Sequence, residues 1–348
     1  MKIIIVAEWH GDIYGQAFYN SFKSLNHKVF KFSWKEYFVS PNRYYSALLK
    51  IQNKYTMGPV VWKINYDIVQ QCKDIKPDLI FVYGGTHVYK RTLERLKQAS
   101  NAKIYGYNND DPFSKKYPKY FWRHFIKSIY SYDHIFAYRK KNIKDYEKIN
   151  YTNVSILRSY YRKECNYYIE NLPSNKYICD VAFIGHFEND GRDEIIKYLI
   201  ESDVNIRLYG PEWSRSKHYD YFVNYQKGSV IALHGEDYNL AINSAKIALV
   251  FLSKLNNDTY TRRCFEIPAT KTMMMAEYTD DLNSMFKEGV EAEYFRNKED
   301  LLGKIKYFLN NKERIDSIAT NGYKRLLFDG HEVLDRCQEI LKFFQKKN

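Results

Sequence analysis

Between Asn257 and Ala269 the chain reads NDTYTRRCFEIPA, and Asp258, Arg262, Arg263 and Glu266 crowd into one short stretch. Guanidinium groups neutralise phosphate oxygens through paired, charge-assisted hydrogen bonds, and a carboxylate beside them accepts hydrogen bonds from sugar hydroxyls. The stretch follows Lys246–Leu252, an apolar run of strand length, and Arg263–Ala269 reads as the start of a helix. That places Arg263 and Glu266 where free N–H groups and the helix dipole also favour an anion. An Arg–Glu pair that only anchors the helix is the competing reading. The position at the end of a strand favours ligand chemistry.

Two other loops could carry proton transfer. After Lys2–Ala7 (KIIIVA) come Glu-Trp-His-Gly-Asp-Ile-Tyr-Gly, with His10 and Asp12 beside Gly11 and Gly15. A loop histidine near a carboxylate suits general-base work because it titrates close to neutrality. The glycines are spaced GxxxG, not GxGxxG, which argues against a nicotinamide dinucleotide site. Asn108–Pro112 (NNDDP) follows the strand Lys103–Tyr107 and sets Asp110 and Asp111 at the same kind of edge. These carboxylates could activate a hydroxyl or bind a metal; Asp-Pro is equally good turn chemistry.

The elements that must position these residues alternate. Lys2–Ala7, His27–Phe32, Leu79–Tyr83, Lys103–Tyr107 and Ile135–Ala137 read as strands, with helical stretches at Gln16–Leu25, Asp67–Lys73 and Thr92–Ala99. Nearly continuous apolar runs such as KIIIVA and LIFVY are what a parallel sheet buried on both faces requires. Asn166–Tyr177 is polar and contains Pro173, so it reads as a linker. The pattern then restarts with strands at Asp180–Ile184, Asn205–Tyr209, Val230–Leu233, Lys246–Leu252 and Thr272–Glu277. Helices are expected at Arg192–Glu201, Leu240–Ser244, Glu299–Leu309, Ile315–Leu327 and Val333–Phe344. The fold class is therefore α/β, with two tandem Rossmann-like domains facing across a cleft. The expected boundaries are 1–165 for an N-terminal domain that takes the acceptor and 166–177 for the linker. A C-terminal domain follows at 178–330, and a last helix at 331–348 packs back on the first domain.

The 348 residues carry a formal net charge of +13, and its distribution is uneven. Residues 1–165 hold 29 Lys and Arg against 13 Asp and Glu, whereas the remainder holds 25 against 28. All the excess sits in the first half, which suggests an anionic partner there: nucleic acid, a membrane surface or a phosphorylated substrate. Tyr117, Tyr120, Phe121, Trp122 and Phe125, interleaved with lysines and Arg123, could stack on bases or lie on anionic lipid. An ordinary helix with a buried aromatic face fits the same pattern. No helix-turn-helix, RNP or zinc motif supports nucleic-acid binding, so none is expected. The five cysteines are odd in number and scattered, with no CxxC pair, which excludes a disulfide framework and favours a reducing compartment. No apolar run approaches membrane-spanning length.

Five blocks together resemble one family: Asp180–Gly185 (DVAFIG), Leu208–Trp213 (LYGPEW), Tyr238–Phe251 (YNLAINSAKIALVF), Arg263–Ala269 (RCFEIPA) and Met274–Asp280 (MMAEYTD). They are similar to the CgeB-like glycosyltransferases, named after spore-maturation proteins and related to the GT-B superfamily. The likeness covers roughly 178–345; the first half matches only in general pattern, through the NDDP turn. It implies a metal-independent, hexosyltransferase-like enzyme that moves a sugar from a nucleotide-diphosphate sugar to a glycan, glycolipid or protein hydroxyl. No cofactor is implied. Glu266 matches the carboxylate expected on the donor ribose, Arg263 the arginine near the diphosphate, and Gly185 a backbone site near the phosphates, with His186 and Arg192 nearby. Asp258 lies at the spacing of the first Glu in the Glu-x7-Glu motif of GT-B relatives. Gly210 completes the expected donor loops. Where the family usually has glycines, this chain has Thr270-Lys271-Thr272, so either Lys271 and Thr272 serve the diphosphate or the loop differs.

The expected catalytic residues are Asp12 and His10, ahead of Asp110 and Asp111, with no metal site. The basic half points to an anionic glycan or lipid-linked acceptor, peripheral contact with an anionic membrane, and a cytoplasmic location at the inner leaflet. The alternative is a basic protein that binds nucleic acid or a membrane surface without catalysis.

Overall fold

A computed structural model describes residues 1–348 except His10, Ser174 and Asn348. The chain divides into two compact units, Met1–Ser159 with Val333–Asn348, and Tyr160–Glu332.

In the first unit six strands form one parallel sheet: β1 (Lys2–Ala7), β2 (Lys28–Ser33), β3 (Leu79–Tyr83), β4 (Lys103–Asn108), β5 (His134–Ala137) and β6 (Val154–Ile156), in the order β2-β1-β3-β4-β5-β6. β1 pairs with β3 in the register Ile3↔Leu79 and Ile5↔Phe81. Both strands are buried over nearly their whole length, which is why their sequences are continuous apolar runs and do not alternate. The helix Val333–Lys347 belongs to this unit: Phe343 packs edge-on against Tyr105 of β4, and Cys337 lies against the backbone of Phe18.

The second unit repeats the plan with β7 (Cys179–Ile184), β8 (Ile206–Tyr209), β9 (Ala245–Val250), β10 (Met273–Glu277) and β11 (Glu293–Phe295), all parallel, in the order β11-β10-β9-β7-β8. Strand order reverses between β7 and β9, and in the first unit between β1 and β3. At such a reversal the loops leaving adjacent strands diverge to opposite faces and leave a crevice at the carboxyl ends. The segment 166–177 is tied to this unit, since Asn239 accepts from the Tyr167 amide (3.1 Å) and Asn243 from that of Ile169 (2.8 Å). One expected strand is missing: 230–233 runs outside any sheet, linked to the β8 loop by a single Gly210 amide bond to the Ile231 carbonyl. Among the described residues no helix is long and apolar enough to cross a membrane.

Candidate functional site

The crevice of the second unit is built from three loops. β7 ends at Ile184, and Gly185 then donates its amide to the Tyr209 carbonyl (2.8 Å), while its own carbonyl accepts from the Trp213 indole (2.8 Å). Gly210 has φ +144°, and a Cβ there would stand 1.9 Å from the Gly185 oxygen. Only glycine lets the β7 and β8 loops approach this closely.

The loop after Gly185 is held from beneath. Arg192 is buried; its guanidinium makes a two-pronged bond to Asp190 (2.8 and 2.8 Å) and donates to the His186 carbonyl (2.9 Å). Burial would raise the Glu188 carboxyl, but hydrogen bonds from His186 and Ser253 and the Arg192 charge hold it down at about 2. Glu188 thereby links this loop to the one after β9. Arg192 was expected among the donor-binding residues. With its guanidinium committed to Asp190 and the His186 carbonyl and 1% of the residue exposed, it shapes the loop from within.

Arg263 is the contrasting arginine. It opens the helix Arg263–Ala269 and lays its guanidinium against Gly185, within 3.2 Å of where a Cβ would be. Its Nε is buried without a hydrogen-bond acceptor among the described residues, and no carboxylate there pairs with it. One turn along, Glu266 is buried and accepts from the Tyr238 hydroxyl through Oε2 (2.6 Å). Burial and the Glu266 charge push that hydroxyl well above the ordinary tyrosine range, so it remains a donor. Oε2 is thus engaged by Tyr238. Asp258 closes the loop after β9, its amide donating to the Ser253 carbonyl (2.9 Å).

Lys271 and Thr272 lie elsewhere. The helix Arg263–Ala269 runs antiparallel to the strands and spans about 10 Å at 1.5 Å per residue, so Thr270–Thr272 sit at the opposite edge, where β10 begins. There Lys271 rests over the rings of Tyr168 (4.5 Å) and Tyr323 (5.0 Å), and Thr272 donates to the Ile242 carbonyl. The two residues expected in the donor set are thus placed at the far end of this helix, away from Gly185 and Arg263.

In the first unit, Asp12 is exposed on the turn after β1, at the strand-order reversal; His10 lies outside the described residues. Asp110 is half-buried after β4. Asp111 is wholly buried: it accepts from the Phe113 amide (3.0 Å), Asn142 (2.7 Å) and Lys141 (3.1 Å). Its carboxylate fastens the NDDP turn to the helix Lys140–Glu147 and is removed from the catalytic candidates. The interleaved aromatics are likewise structural: Trp122 and Phe125 are buried in the core, with Tyr117 and Phe121 stacked on each other and packed against it. They form no single helix, since only Arg123–Ser128 is helical. Among the described residues no group of three or more His, Cys, Asp or Glu side chains could hold a metal ion.

Comparison with solved structures identifies the architecture. Sucrose-phosphate synthase from Thermosynechococcus elongatus superimposes with a TM-score of 0.69 at 11% identity, covering 99% of this chain and 98% of the other. HepE from Anabaena, solved with UDP and glucose, gives 0.70 at 11% identity over 99% and 100%. A glycosyltransferase from Rickettsia africae gives 0.69 at 12% identity over 99% and 97%. The fold is GT-B. Residues 192–342, a little under half of the chain, match the family model described as glycosyl transferase-like. No curated protein matches the sequence. Of the expected donor residues, Arg192, Gly210, Asp258, Arg263, Glu266, Lys271 and Thr272 lie in the matched segment, while Gly185 and His186 precede it.

Proposed function

We propose that the protein is a CgeB-like, hexosyltransferase-type enzyme that transfers a sugar from a nucleotide-diphosphate donor to a hydroxyl on a glycan, glycolipid or protein. The observation that carries this reading is Arg263: a guanidinium with no carboxylate partner among the described residues, set against Gly185 at the strand-order reversal of the second unit. Stored beside a loop that only glycine can form, such a charge suits a diphosphate. Glu266, steadied by Tyr238, accepts from the ribose hydroxyls, and the Gly185–His186 backbone and Asp258 border the donor.

In the reaction the bond between the anomeric carbon and the diphosphate oxygen breaks, and the electron pair leaves with the nucleoside diphosphate. The acceptor oxygen bonds to the same carbon and gives up its proton. Arg263 meets the charge that grows on the leaving oxygen, in the place a metal ion would otherwise take. Asp12, with His10, is assigned the proton; Asp110 stands behind them. The basic first unit matches an anionic or lipid-linked acceptor and a peripheral position on an anionic membrane.

A thermal-shift panel of UDP, GDP, dTDP, CMP and their sugars tests the donor assignment, with UDP first because HepE was solved with it. A nucleotide at about 100 times its Kd stabilises by about 2.7 kcal/mol. No stabilisation by any member overturns the reading. With a donor in hand, Asp12→Ala lowers kcat by about 10²–10⁴-fold and leaves donor affinity intact. An unchanged kcat moves the base elsewhere.

A further inference from the structure

The helix Arg43–Tyr55 is oriented against the usual logic of a globular surface. Asn42 caps its start through Tyr44 and Tyr45, and Leu49 alone among its residues is fully buried. Its inner side is pinned by polar contacts: Gln52 accepts from the Val60 amide (2.9 Å), and Asn53 bonds the His87 ring (2.9 Å). On the outside lie Tyr44, Leu48 and Ile51, at the i, i+4, i+7 spacing that defines one stripe of a helix; Tyr55 ends the stripe, 38% exposed with its ring packed on Tyr120. Tyr44 is 86% exposed, Leu48 56% and Ile51 55%. Trp62 and Tyr66, one turn apart on the next helix, are also exposed.

Charge follows the same geometry. Arg43, Lys50 and Lys54 each precede a member of the apolar stripe or its register by one residue, so they form a parallel basic stripe about 100° around the helix. Between Glu36 and Asp67 the chain has no acidic residue and four basic ones, of which Lys63 pairs with Asp67 (2.8 Å) and Arg43, Lys50 and Lys54 lie on this helix. An apolar ridge edged by cations and free of carboxylates is the design of a helix that lies in a lipid interface. A second copy of the chain suits it poorly, because a two-fold contact would set the cations against one another.

We propose that the outer face of Arg43–Tyr55, extended by Trp62 and Tyr66, docks on an anionic lipid bilayer, with the apolar stripe in the acyl boundary and the basic stripe at the headgroups. This deepens the membrane contact of the proposed function, and rests on that reading only for its purpose.

The test is sedimentation of the full chain with phosphatidylcholine vesicles, with and without about 30% phosphatidylglycerol. Wild type should sediment with the anionic vesicles only, and release as salt rises from about 0.1 to about 0.5 M. Lys50→Glu with Lys54→Glu should lower partition by at least about 25-fold, and Leu48→Ser with Ile51→Ser by at least about 10-fold. Both pairs are exposed and should leave nucleotide-dependent thermal shifts unchanged. Equal partition into neutral vesicles, no partition at all, or undiminished binding by either variant overturns the proposal. So does a dimer that Leu48→Ser with Ile51→Ser converts to monomer by light scattering. Loss of the UDP shift with vesicle binding preserved would instead count against the donor site alone.

Discussion

The two units share a parallel sheet and a strand-order reversal, yet they handle charge in opposite ways. The second unit is slightly acidic in sequence and, among the described residues, leaves the Arg263 guanidinium without a carboxylate partner at its crevice, while Arg192 is spent on Asp190. The first unit is strongly basic and spreads that charge over its outer surface, while Asp111 of its edge is locked inside. Positive charge in the second unit's crevice is therefore local and geometrically placed; in the first unit it is diffuse. Net charge identifies only the second kind. The half that resembles a donor domain would never have been chosen on its total charge.

The contrast breaks most severely at Gly210. A Cβ 1.9 Å from the Gly185 oxygen cannot be accommodated without moving the β7 loop. Gly210→Ala should cost more than about 4 kcal/mol or abolish nucleotide binding, read by thermal denaturation and by the nucleotide shift. Arg192→Ala comes next. Removing one member of a buried ion pair costs about 3–5 kcal/mol, so this variant should lose stability first and nucleotide affinity only as a consequence. Arg263→Ala should do the reverse, with near-normal stability and weakened binding of the diphosphate but not of the nucleoside. If Arg192→Ala and Arg263→Ala gave the same profile, the division between a structural and a ligand-facing arginine would fail.

Much of the fold was legible because parallel strands are buried on both faces and leave unmistakable apolar runs. The strands that escaped, Val154–Ile156 and Glu293–Phe295, are three residues long and lie at sheet edges, too short for any period to show. Arg43–Tyr55 escaped for another reason: its apolar stripe faces outward, so the sequence offered no core for it to join. The helix start that sets Arg263 and Glu266 one turn apart after β9 could be read from type and spacing. Lys271 and Thr272 were misplaced because adjacency in sequence ignores the length of the helix that separates the two edges of the sheet. Arg192 and Asp111 are charges at strand ends whose internal partners, Asp190 for the first and Asn142 and Lys141 for the second, no spacing announces. Tyr238 gave no signal of its own, since its partner Glu266 lies on a different helix.

Acid should separate the units. Burial lowers the His87 and His134 pKa values to about 4, and both belong to the first unit. A histidine depressed in the folded state binds its proton only after unfolding, so stability is full above about 6.5 and declines as pH falls toward 4. The loss approaches roughly 3 kcal/mol for each ring. In the second unit, Glu188 and Glu288 are held at about 2, so their contribution persists until pH falls below about 4.5. Urea unfolding at graded pH, followed by pulsed hydrogen exchange at one fixed pH, should show the first unit weakening between pH 6.5 and 4.5 while the second holds. Parallel decline in both would mean that the histidines do not dominate.

Glu266 and Tyr238 supply the smallest and most discriminating pair. Glu266→Ala removes a charged acceptor and should weaken nucleotide binding by about 1.5–3 kcal/mol, roughly 10–150-fold. Tyr238→Phe keeps the ring and deletes only the hydroxyl that donates 2.6 Å to Glu266. A single hydrogen bond of this kind contributes about 1 kcal/mol, so affinity should fall about five-fold. Because the hydroxyl acts through the carboxylate, Tyr238→Phe in a Glu266→Ala background should have almost no further effect on binding. Additive losses in that double-mutant cycle would show that Tyr238 meets the nucleotide itself, and that the carboxylate does not need its partner to hold its place.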